Sequence, residues 1–304
     1  MTKEQWAADL AQNINPANIK LDESLQHYTM TKLGGKADVF VLPETEEEAI
    51  AVIRYAHINN IPLLMLGNGS NMVVRDGGMR GIVVTFSHLD KIQITGDHVY
   101  AQSGALIKDV SKLAAASSLT GFEFACGIPG SIGGAMAMNA GAYGGEIKDI
   151  IISSKVLTKE GDILILSKEE LELGYRQSSI AKKGYYVLSS EFQLAQGVQE
   201  EIDAKIADLT FQRESKQPLE YPSAGSVFKR PPGHFAGKLI QDSGLQGKGV
   251  GDAEVSTKHA GFIVNKGNAT ASDYIATIEM VQRVVKEKFG IDLETEVKIV
   301  GDDL

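Results

Sequence analysis

Glycine is concentrated in one short part of this 304-residue chain. Eight glycines lie between Gly121 and Gly145, whereas the helical pattern from Ser272 to Lys288 contains none. The whole chain has 32 glycines, about a tenth of its residues against a usual share of roughly 7%. Repeated glycine and alanine allow a backbone to approach its partner closely. The surplus therefore predicts a loop that lies against a large flat ligand rather than a generally flexible protein.

Two glycine-rich loops are predicted to bind phosphate. The first, Leu66 to Val74 (LGNGSNMVV), joins two predicted strands, and its successive N–H groups can surround an anion without a lysine. In the second, Gly127 to Glu146, Pro129-Gly130 forms a turn and Ser131 caps a short helix whose first N–H groups face a phosphate. The alternatives are a tight strand connection for the first loop and close helix packing for the second.

Composition excludes several classes of protein. The net charge of −9 argues against nucleic acid and anionic lipid as general partners, although a small anion can still bind locally. A single cysteine, Cys126, and six scattered histidines give no disulfide and no zinc-binding spacing. No apolar run approaches the ~18 residues of a membrane helix, and no signal peptide pattern is present. We therefore expect a soluble, cytoplasmic protein without a structural metal.

The standard nucleotide fingerprints are absent. Gly67 and Gly69 begin a G-x-G-x-x-G pattern, but Met72 stands at its third glycine. A P-loop ending in Gly237-Lys238 fails because Pro232 and Leu239 occupy its glycine and Ser/Thr positions. The sequence thus predicts neither a Rossmann domain nor a P-loop.

The pattern of elements predicts an α+β protein. Short β-branched runs bounded by Gly, Asn or Asp alternate with helices, one of which begins at the capping box of Thr45. Residues 199–216 form a charged helical pattern, and residues 217–232 hold four of the eight prolines. A final strand is predicted from Glu296 to Val300. We therefore expect an N-terminal segment at 1–32, a main domain at 33–198 and a smaller C-terminal domain at 199–304.

Three polar residues are candidates for chemistry, although each has an ordinary alternative. Ser226 follows Gly225 and precedes two cations, but an Ala-Gly-Ser segment is more often only a turn. Arg176, in GYRQSS, fits a surface arginine equally well. Glu296 lies among apolar positions, where it either faces solvent or is held for a purpose.

Five motifs together resemble one known family. LGNGSN, GIPGSIGGA with NAGAYG, YRQS, AGSVFK and LETEV occur in the order and approximate spacing of the UDP-N-acetylenolpyruvoylglucosamine reductases, the MurB family. The resemblance covers about residues 30 to 301. It implies an FAD-binding PCMH fold (vanillyl-alcohol-oxidase type) in two subdomains, followed by a C-terminal α+β substrate-binding domain. The interval between Arg176 and Ser226 shows no inserted tyrosine loop, so the chain is similar to the shorter subclass.

The resemblance also implies residue roles in reduction of an enolpyruvyl ether. Ser226 would donate a proton, while Arg176 and Glu296 would stabilise the enolate. Substrate binding would involve Tyr175, Lys216 and Arg230. FAD binding would involve residues of both glycine loops: Gly67, Asn68, Gly69, Ser70, Asn71, Pro129, Gly130, Ser131, Gly133, Gly134, Asn139, Ala142 and Tyr143.

The implied ligands are non-covalent FAD, NADPH as co-substrate and UDP-N-acetylglucosamine enolpyruvate, in peptidoglycan precursor synthesis. Nucleic acid, membrane insertion and an obligate protein partner are not expected. Because no separate dinucleotide domain is predicted, NADPH and substrate are expected to use one cleft in turn. The alternatives are an oxygen-using flavin oxidase of the same fold and a non-catalytic protein that binds a nucleotide sugar.

Overall fold

The computed structural model describes residues 1–303, which contain helices and strands throughout. The α-helices are α1 (Lys3–Leu10), α2 (Glu46–Ile58), α3 (Ile107–Ala116), α4 (Ile132–Met138), α5 (Ile147–Ile150), α6 (Ser179–Lys183), α7 (Gln199–Lys216), α8 (Ala236–Asp242) and α9 (Ala271–Phe289). The strands are β1 (Ile19–Ser24), β2 (Lys36–Val41), β3 (Leu63–Met65), β4 (Met72–Val74), β5 (Met79–Val84), β6 (Ile92–Thr95), β7 (His98–Gln102), β8 (Leu119–Thr120), β9 (Gly141–Ala142), β10 (Gly145–Glu146), β11 (Ile151–Leu157), β12 (Ile163–Ser167), β13 (Tyr186–Gln193), β14 (Ala195–Gln196), β15 (Ser223–Ser226), β16 (Gly249–Val250), β17 (Ala253–Val255), β18 (Phe262–Asn265) and β19 (Lys298–Val300).

The chain folds into two compact units, each built from separate stretches of sequence. Unit 1 comprises Met1–Leu21, Asp38–Asn68 and Gly81–Arg213. Unit 2 comprises Asp22–Ala37, Gly69–Arg80 and Glu214–Leu304. The expected boundaries near residues 32 and 198 divide the chain along other lines, and that three-part division stays a prediction.

Unit 1 contains two hydrophobic cores. One surrounds the antiparallel sheet β12-β11-β13-β7-β6 and includes Val99, Phe122 and Phe192. The other packs α1 and α2 against strands of the sheet β1-β2-β5-β3, most of which lies in unit 1. Helix α2 begins where the sequence predicts, because the Thr45 hydroxyl accepts a hydrogen bond from the Glu48 N–H at 3.2 Å.

Unit 2 is built on the antiparallel sheet β15-β18-β17-β16, against which α9 packs. A separate parallel pair joins β19 to β4. Helix α9 buries Tyr274, Ile278, Val281 and Val285, at the four-three-four spacing of one helix face. Phe289, four residues further on in the last turn, is 38% exposed.

A predicted helix matches the structure, whereas the predicted start of the last strand does not. The helix at Gln199–Lys216 has the predicted bounds. The last strand starts at Lys298 instead of Glu296, so Glu296 lies in the irregular segment before β19. Within residues 1–303, no helix is long and apolar enough to cross a membrane, and no cluster of three potential metal ligands occurs.

The start of α9 is held by a carboxylate from another part of unit 2. Asp76 accepts hydrogen bonds from the N–H groups of Ala271 and Ser272, both at 2.8 Å, and from the Ser272 hydroxyl at 2.6 Å. Burial alone would raise the pKa of Asp76, but these hydrogen bonds outweigh it and hold the pKa below its usual value. The negative charge also interacts favourably with the helix dipole.

We expect Asp76→Ala to lower the free energy of unfolding by about 1–2 kcal/mol at pH 7, as loss of a helix cap does. Because the folded-state pKa is depressed, this contribution is present above an ordinary carboxyl pKa of ~4 and is lost as pH falls below it. Urea unfolding of both proteins between pH 3 and pH 7 measures the difference. In the control Asp292→Ala, which removes an exposed ion pair with Lys286, we expect a change under about 0.5 kcal/mol. Equal effects of the two substitutions would contradict the role of Asp76.

Candidate functional site

The first glycine loop contains four successive backbone donors that are not used within the described chain. Within residues 1–303, the N–H groups of Gly67, Asn68, Gly69 and Ser70 donate no hydrogen bond. Gly69 is in the left-handed region with φ +59°, a conformation that helps successive N–H groups converge on an anion. A Cβ at Gly69 would overlap the carbonyl oxygen of Tyr28 and lie 2.7 Å from the Thr29 Cα. Glycine is therefore required here both by conformation and by space.

The first loop contacts the second within unit 1. Asn68 donates from Nδ2 to the Pro129 carbonyl oxygen at 2.5 Å. A Cβ at Gly67 would lie 3.0 Å from the Ser131 Oγ. The two loops that the sequence predicts to share a ligand are thus adjacent through Gly67, Asn68, Pro129 and Ser131.

The predicted availability of the first α4 N–H groups is wrong. Ile132 and Gly133 donate to the carbonyl oxygens of Ala105 and Ser103, each at 2.9 Å. Gly134 donates to the Ser131 Oγ at 3.4 Å, so Ser131 does cap the helix as predicted. The segment that follows β7 has taken the donors that a phosphate would use. In the described chain, the N–H groups without an acceptor lie just before the helix, at Gly130 and Ser131.

Close packing explains part of the glycine surplus. A Cβ at Gly133 would overlap the Ser103 Oγ, and one at Gly145 would lie 2.8 Å from the Phe124 ring. By contrast, a Cβ at Gly134 would meet only the Ser131 Oγ, at 3.6 Å. The alternative of close helix packing therefore holds for Gly133 in α4, while Gly145 packs closely within strand β10 and Gly134 leaves open space.

Two hairpins in unit 1 carry predicted site residues at their tips. Tyr143 and Gly144 connect β9 to β10 with φ values of +53° and +87°, the pattern of a type I′ turn. Arg176 has φ +55° in a tight turn closed by reciprocal hydrogen bonds between Gly174 and Gln177, at 3.1 and 3.2 Å. Non-glycine residues seldom adopt this conformation, and such strain is concentrated at functional sites.

Asn139 links these two hairpins from inside unit 1. Its side chain is fully buried, and its Nδ2 donates to Glu146 Oε2 at 2.5 Å and to the Gly174 carbonyl at 3.0 Å. Its Oδ1 accepts from the Lys148 N–H at 2.9 Å. Because Asn139 is buried and both of its amide hydrogens are donated within the protein, the predicted contact of Asn139 with FAD stays a prediction. The side chain fixes the turn that carries Arg176.

Ser226 and Glu296 lie on neighbouring segments of unit 2. Ser226 ends β15 with an exposed side chain, and Gly225 before it has φ +73° and open space where a Cβ would stand. The next carbonyl, of Val227, accepts the Glu296 N–H at 2.7 Å. Asn71 Nδ2 donates to the Glu296 carbonyl at 3.2 Å. The predicted serine and glutamate are therefore held by the same backbone network, while Arg176 belongs to unit 1.

The predicted substrate residues are more exposed. Tyr175 is 57% exposed, with the Arg176 guanidinium 5.3 Å from its ring centre. Arg230 stacks on Phe235, with its guanidinium carbon 3.9 Å from the ring centre. Lys216 is exposed at the last residue of α7.

One half-buried cation escapes the sequence prediction. Arg213, on α7, packs its side chain against the backbone of Gly127 at the start of the second loop. Burial lowers the pKa of this guanidinium. The available signal was helical spacing, since Arg213 continues the face of Ile202, Ile206 and Leu209.

Comparison with known proteins identifies the family. The C-terminal domain model of UDP-N-acetylenolpyruvoylglucosamine reductase matches residues 217–300, and an FAD binding domain model matches residues 37–167. The UDP-N-acetylenolpyruvoylglucosamine reductase of Geobacillus kaustophilus is 60% identical over 300 residues, 99% of each chain. The crystal structure of the same enzyme from Thermus caldophilus superposes with a TM-score of 0.79 at 34% identity, over 93% of this chain and 98% of that one.

The chain belongs to the UDP-N-acetylenolpyruvoylglucosamine reductase family. It is an oxidoreductase with FAD as its cofactor, as the sequence resemblance implies. The predicted FAD-binding PCMH fold with a C-terminal α+β domain is confirmed. The fold alone is shared with the glucose dehydrogenase Phl p 4.0202, at a TM-score of 0.51 and 14% identity over 64% of this chain and 44% of that one.

The residues of unit 1 fit an FAD diphosphate. The N–H groups of Gly67 and Asn68, and those of Gly130 and Ser131, have no acceptor in the described chain. Anion binding by backbone N–H groups needs no lysine or metal ion. The glycines at 67 and 134 keep side chains out of the same segments.

Two glycines with the same backbone conformation but different surroundings allow the cost of backbone strain to be measured apart from the cost of a steric clash. Gly69 and Gly96 have φ values of +59° and +63°, but a Cβ at Gly96 would meet nothing within 4 Å. We expect Gly96→Ala to cost about 1–2 kcal/mol of stability. Gly69→Ala should cost more, because the Tyr28 carbonyl must move, and should weaken FAD binding at least tenfold.

Thermal unfolding and titration of flavin fluorescence measure the two effects. If Gly69→Ala binds FAD as the Gly96 variant does, the first loop does not hold the cofactor.

Proposed function

We propose that the chain reduces the enolpyruvyl ether of UDP-N-acetylglucosamine to UDP-N-acetylmuramate, with NADPH as reductant. The observation that carries this proposal is the network in unit 2 that holds Ser226 beside the segment of Glu296, through Val227. The printed name of the 60% identical relative supports the substrate. The reaction belongs to the synthesis of peptidoglycan precursors.

When bound, FAD supplies the hydride transfer from NADPH to the enolpyruvyl double bond. The role of Ser226 is to deliver the proton from its Oγ to the carbon that becomes basic as an enolate develops. Its exposed position at the end of β15 leaves the hydroxyl accessible. A weak acid suffices, because an enolate carbon is a strong base and a correctly placed donor is what the step requires.

Arg176 is proposed to hold the carboxylate of the substrate. A guanidinium binds a carboxylate through two parallel hydrogen bonds and stabilises the negative charge that develops there. The strained turn supports this role, because the conformation of Arg176 is fixed by the Gly174–Gln177 hydrogen bonds and by Asn139. A preformed turn would limit the loss of entropy on binding.

Glu296 is proposed to orient the enolate intermediate. Its backbone is fixed on both sides, by Val227 through its N–H and by Asn71 through its carbonyl. A side chain held on such a fixed backbone can keep one geometry through the reaction.

Binding roles for the remaining residues complete the proposal. Tyr175, Lys216 and Arg230 would contact the nucleotide sugar, and stacking on Phe235 would hold the plane of the Arg230 guanidinium for a phosphate. FAD would be held without a covalent bond. The division into segments 1–32, 33–198 and 199–304, with a cytoplasmic location and no obligate protein partner, belongs to the same proposal.

The assignment of Ser226 is tested by separating the half-reactions. In Ser226→Ala we expect NADPH to bleach the flavin at the normal rate under anaerobic conditions. Reoxidation by the enolpyruvyl nucleotide should fall by at least 100-fold, the low end for a general acid. Stopped-flow absorbance of the flavin band follows both steps.

The matched control is Ser223→Ala, the same substitution three residues earlier in β15. We expect both half-reactions of this variant to stay near the wild-type rates. Normal reoxidation in Ser226→Ala would remove Ser226 from the mechanism, whereas slow reduction by NADPH would point to a damaged flavin site.

Sequential use of one cleft predicts ping-pong kinetics. Initial rates at several fixed NADPH concentrations should give parallel double-reciprocal lines, with inhibition at high substrate. Intersecting lines, or a structure that holds both ligands together, would contradict a shared cleft.

A further inference from the structure

Helix α7 carries a cation on its inward face. Ile202 and Leu209 are buried, Ile206 is half-buried, and Arg213 follows at the same four-three-four spacing. Residues with this spacing share one side of a helix. An apolar residue would continue the pattern, so the arginine departs from what packing alone favours.

The stem of Arg213 is fixed against backbone. An ideal Cβ at Gly127 would lie 2.5 Å from the Arg213 Cδ, 3.2 Å from its Nε and 3.6 Å from its guanidinium carbon. The glycine therefore makes room for the arginine, and the guanidinium lies beside the first residue of the second glycine loop.

No anionic side chain of the described residues forms an ion pair with Arg213. Among residues 1–303, Arg213 makes no ion pair and no hydrogen bond. Another cation of α7 behaves differently: Lys205 pairs with Glu123, whose side chain is 2% exposed, at 3.2 Å. One cation of α7 thus has a carboxylate partner, Glu123 from outside the helix, and Arg213 has none in the described chain.

Across residues 1–303, no carboxylate is among the electrostatic neighbours of Arg213. Tyr143 and the thiol of Cys126 are its electrostatic neighbours. Burial raises the pKa of Tyr143, so its phenol is uncharged near pH 7. A partly buried guanidinium stays protonated and is unfavourable without an anion or several acceptors. A ligand that brings negative charge would remove this deficit.

The residues around Arg213 indicate which ligand carries the negative charge. Gly127 opens the loop that continues to Pro129, whose carbonyl binds Asn68 of the first loop. Tyr143 is at the tip of the next hairpin. All of these residues lie in unit 1, and the FAD binding domain model covers the loops that they form.

We propose that Arg213 is a cofactor-binding residue, whose guanidinium pairs with negative charge on the bound FAD. That charge has two sources on the same molecule: the diphosphate, which is anionic in both redox states, and the flavin ring, which gains negative charge on reduction. The proposal rests on FAD as the cofactor, and it is independent of the roles assigned to Ser226, Arg176 and Glu296.

Arg213→Gln is the test, because it removes the charge and keeps much of the stem. If the partner is the diphosphate, the dissociation constant of oxidised FAD should rise about 10- to 100-fold. If the partner is the reduced ring, oxidised FAD should bind nearly as before. The two-electron midpoint potential should then fall by about 30 mV for each tenfold loss of affinity for reduced FAD.

Arg213→Lys, which retains the charge, should recover part of either effect. The matched control is Arg54→Gln in the same unit. Arg54 also packs its side chain over a glycine, Gly161, but it has a carboxylate partner in Asp162 at 3.7 Å. Flavin fluorescence titration and anaerobic dye equilibration on the full chain measure affinity and potential.

Unchanged FAD affinity together with an unchanged potential in Arg213→Gln overturns the proposal. The proposal also fails if the KM for the UDP sugar rises while both flavin properties stay constant, because the anion is then the substrate. Should Arg213→Gln fail to fold, Arg213→Lys decides: a retained charge with altered geometry should still shift FAD affinity or potential relative to Arg54→Lys. Failure of the proposed catalytic roles would appear separately, as normal reoxidation in Ser226→Ala.

Discussion

Backbone segments in this protein approach one another more closely than a side chain would allow. A Cβ at Gly69 would overlap the Tyr28 carbonyl, and one at Gly133 would overlap the Ser103 hydroxyl. These contacts fix the two glycine loops, and in the second loop the N–H groups of Ile132 and Gly133 are already bonded within the protein. The donors that remain, from Gly67 to Ser70, are available because their segment forms neither helix nor strand. Glycine therefore acts here through contact distance and conformation, and the loops it builds are closely packed.

Two strained turns carry the predicted site residues Tyr143 and Arg176, and a buried side chain holds both turns. Tyr143 and Arg176 both adopt left-handed backbone conformations that cost a side chain roughly 1–2 kcal/mol. The turns persist because Asn139 binds Gly174 on one side and Glu146 on the other. A buried amide with all its partners satisfied is costly to disturb, since each lost partner leaves a polar group without a hydrogen bond. Hydrogen bonds from Asn139 thus fix both hairpins, so the side chains of Tyr143 and Arg176 are not needed to stabilise the turns.

The sequence predicts local structure well where the signal is local. The helix Gln199–Lys216 and the Thr45 cap of α2 follow from periodicity and from adjacent side chains. The predicted capping box of Thr45 is only half formed, because the Glu48 carboxylate accepts from the Glu44 N–H. Strand β15 was not predicted, because its Ser-Ala-Gly-Ser residues acquire strand geometry only by pairing with β18. The prediction for the start of α4 failed for a related reason. Its donors are taken by Ser103 and Ala105, which lie close only in the folded chain. Arg213 was missed because its significance depends on the absence of a partner.

The net charge of −9 and a site for an anionic cofactor are compatible because they act over different distances. At physiological ionic strength, charges more than about 8 Å apart through solvent are largely screened. An acidic surface therefore has little effect on an anion that is enclosed by backbone N–H groups. The guanidinium of Arg213 is partly buried, so its field is screened less than that of a surface lysine. One such cation without a counter-ion contributes more to the free energy of FAD binding than several exposed acidic residues take away. For the same reason, composition alone could not exclude an anionic ligand.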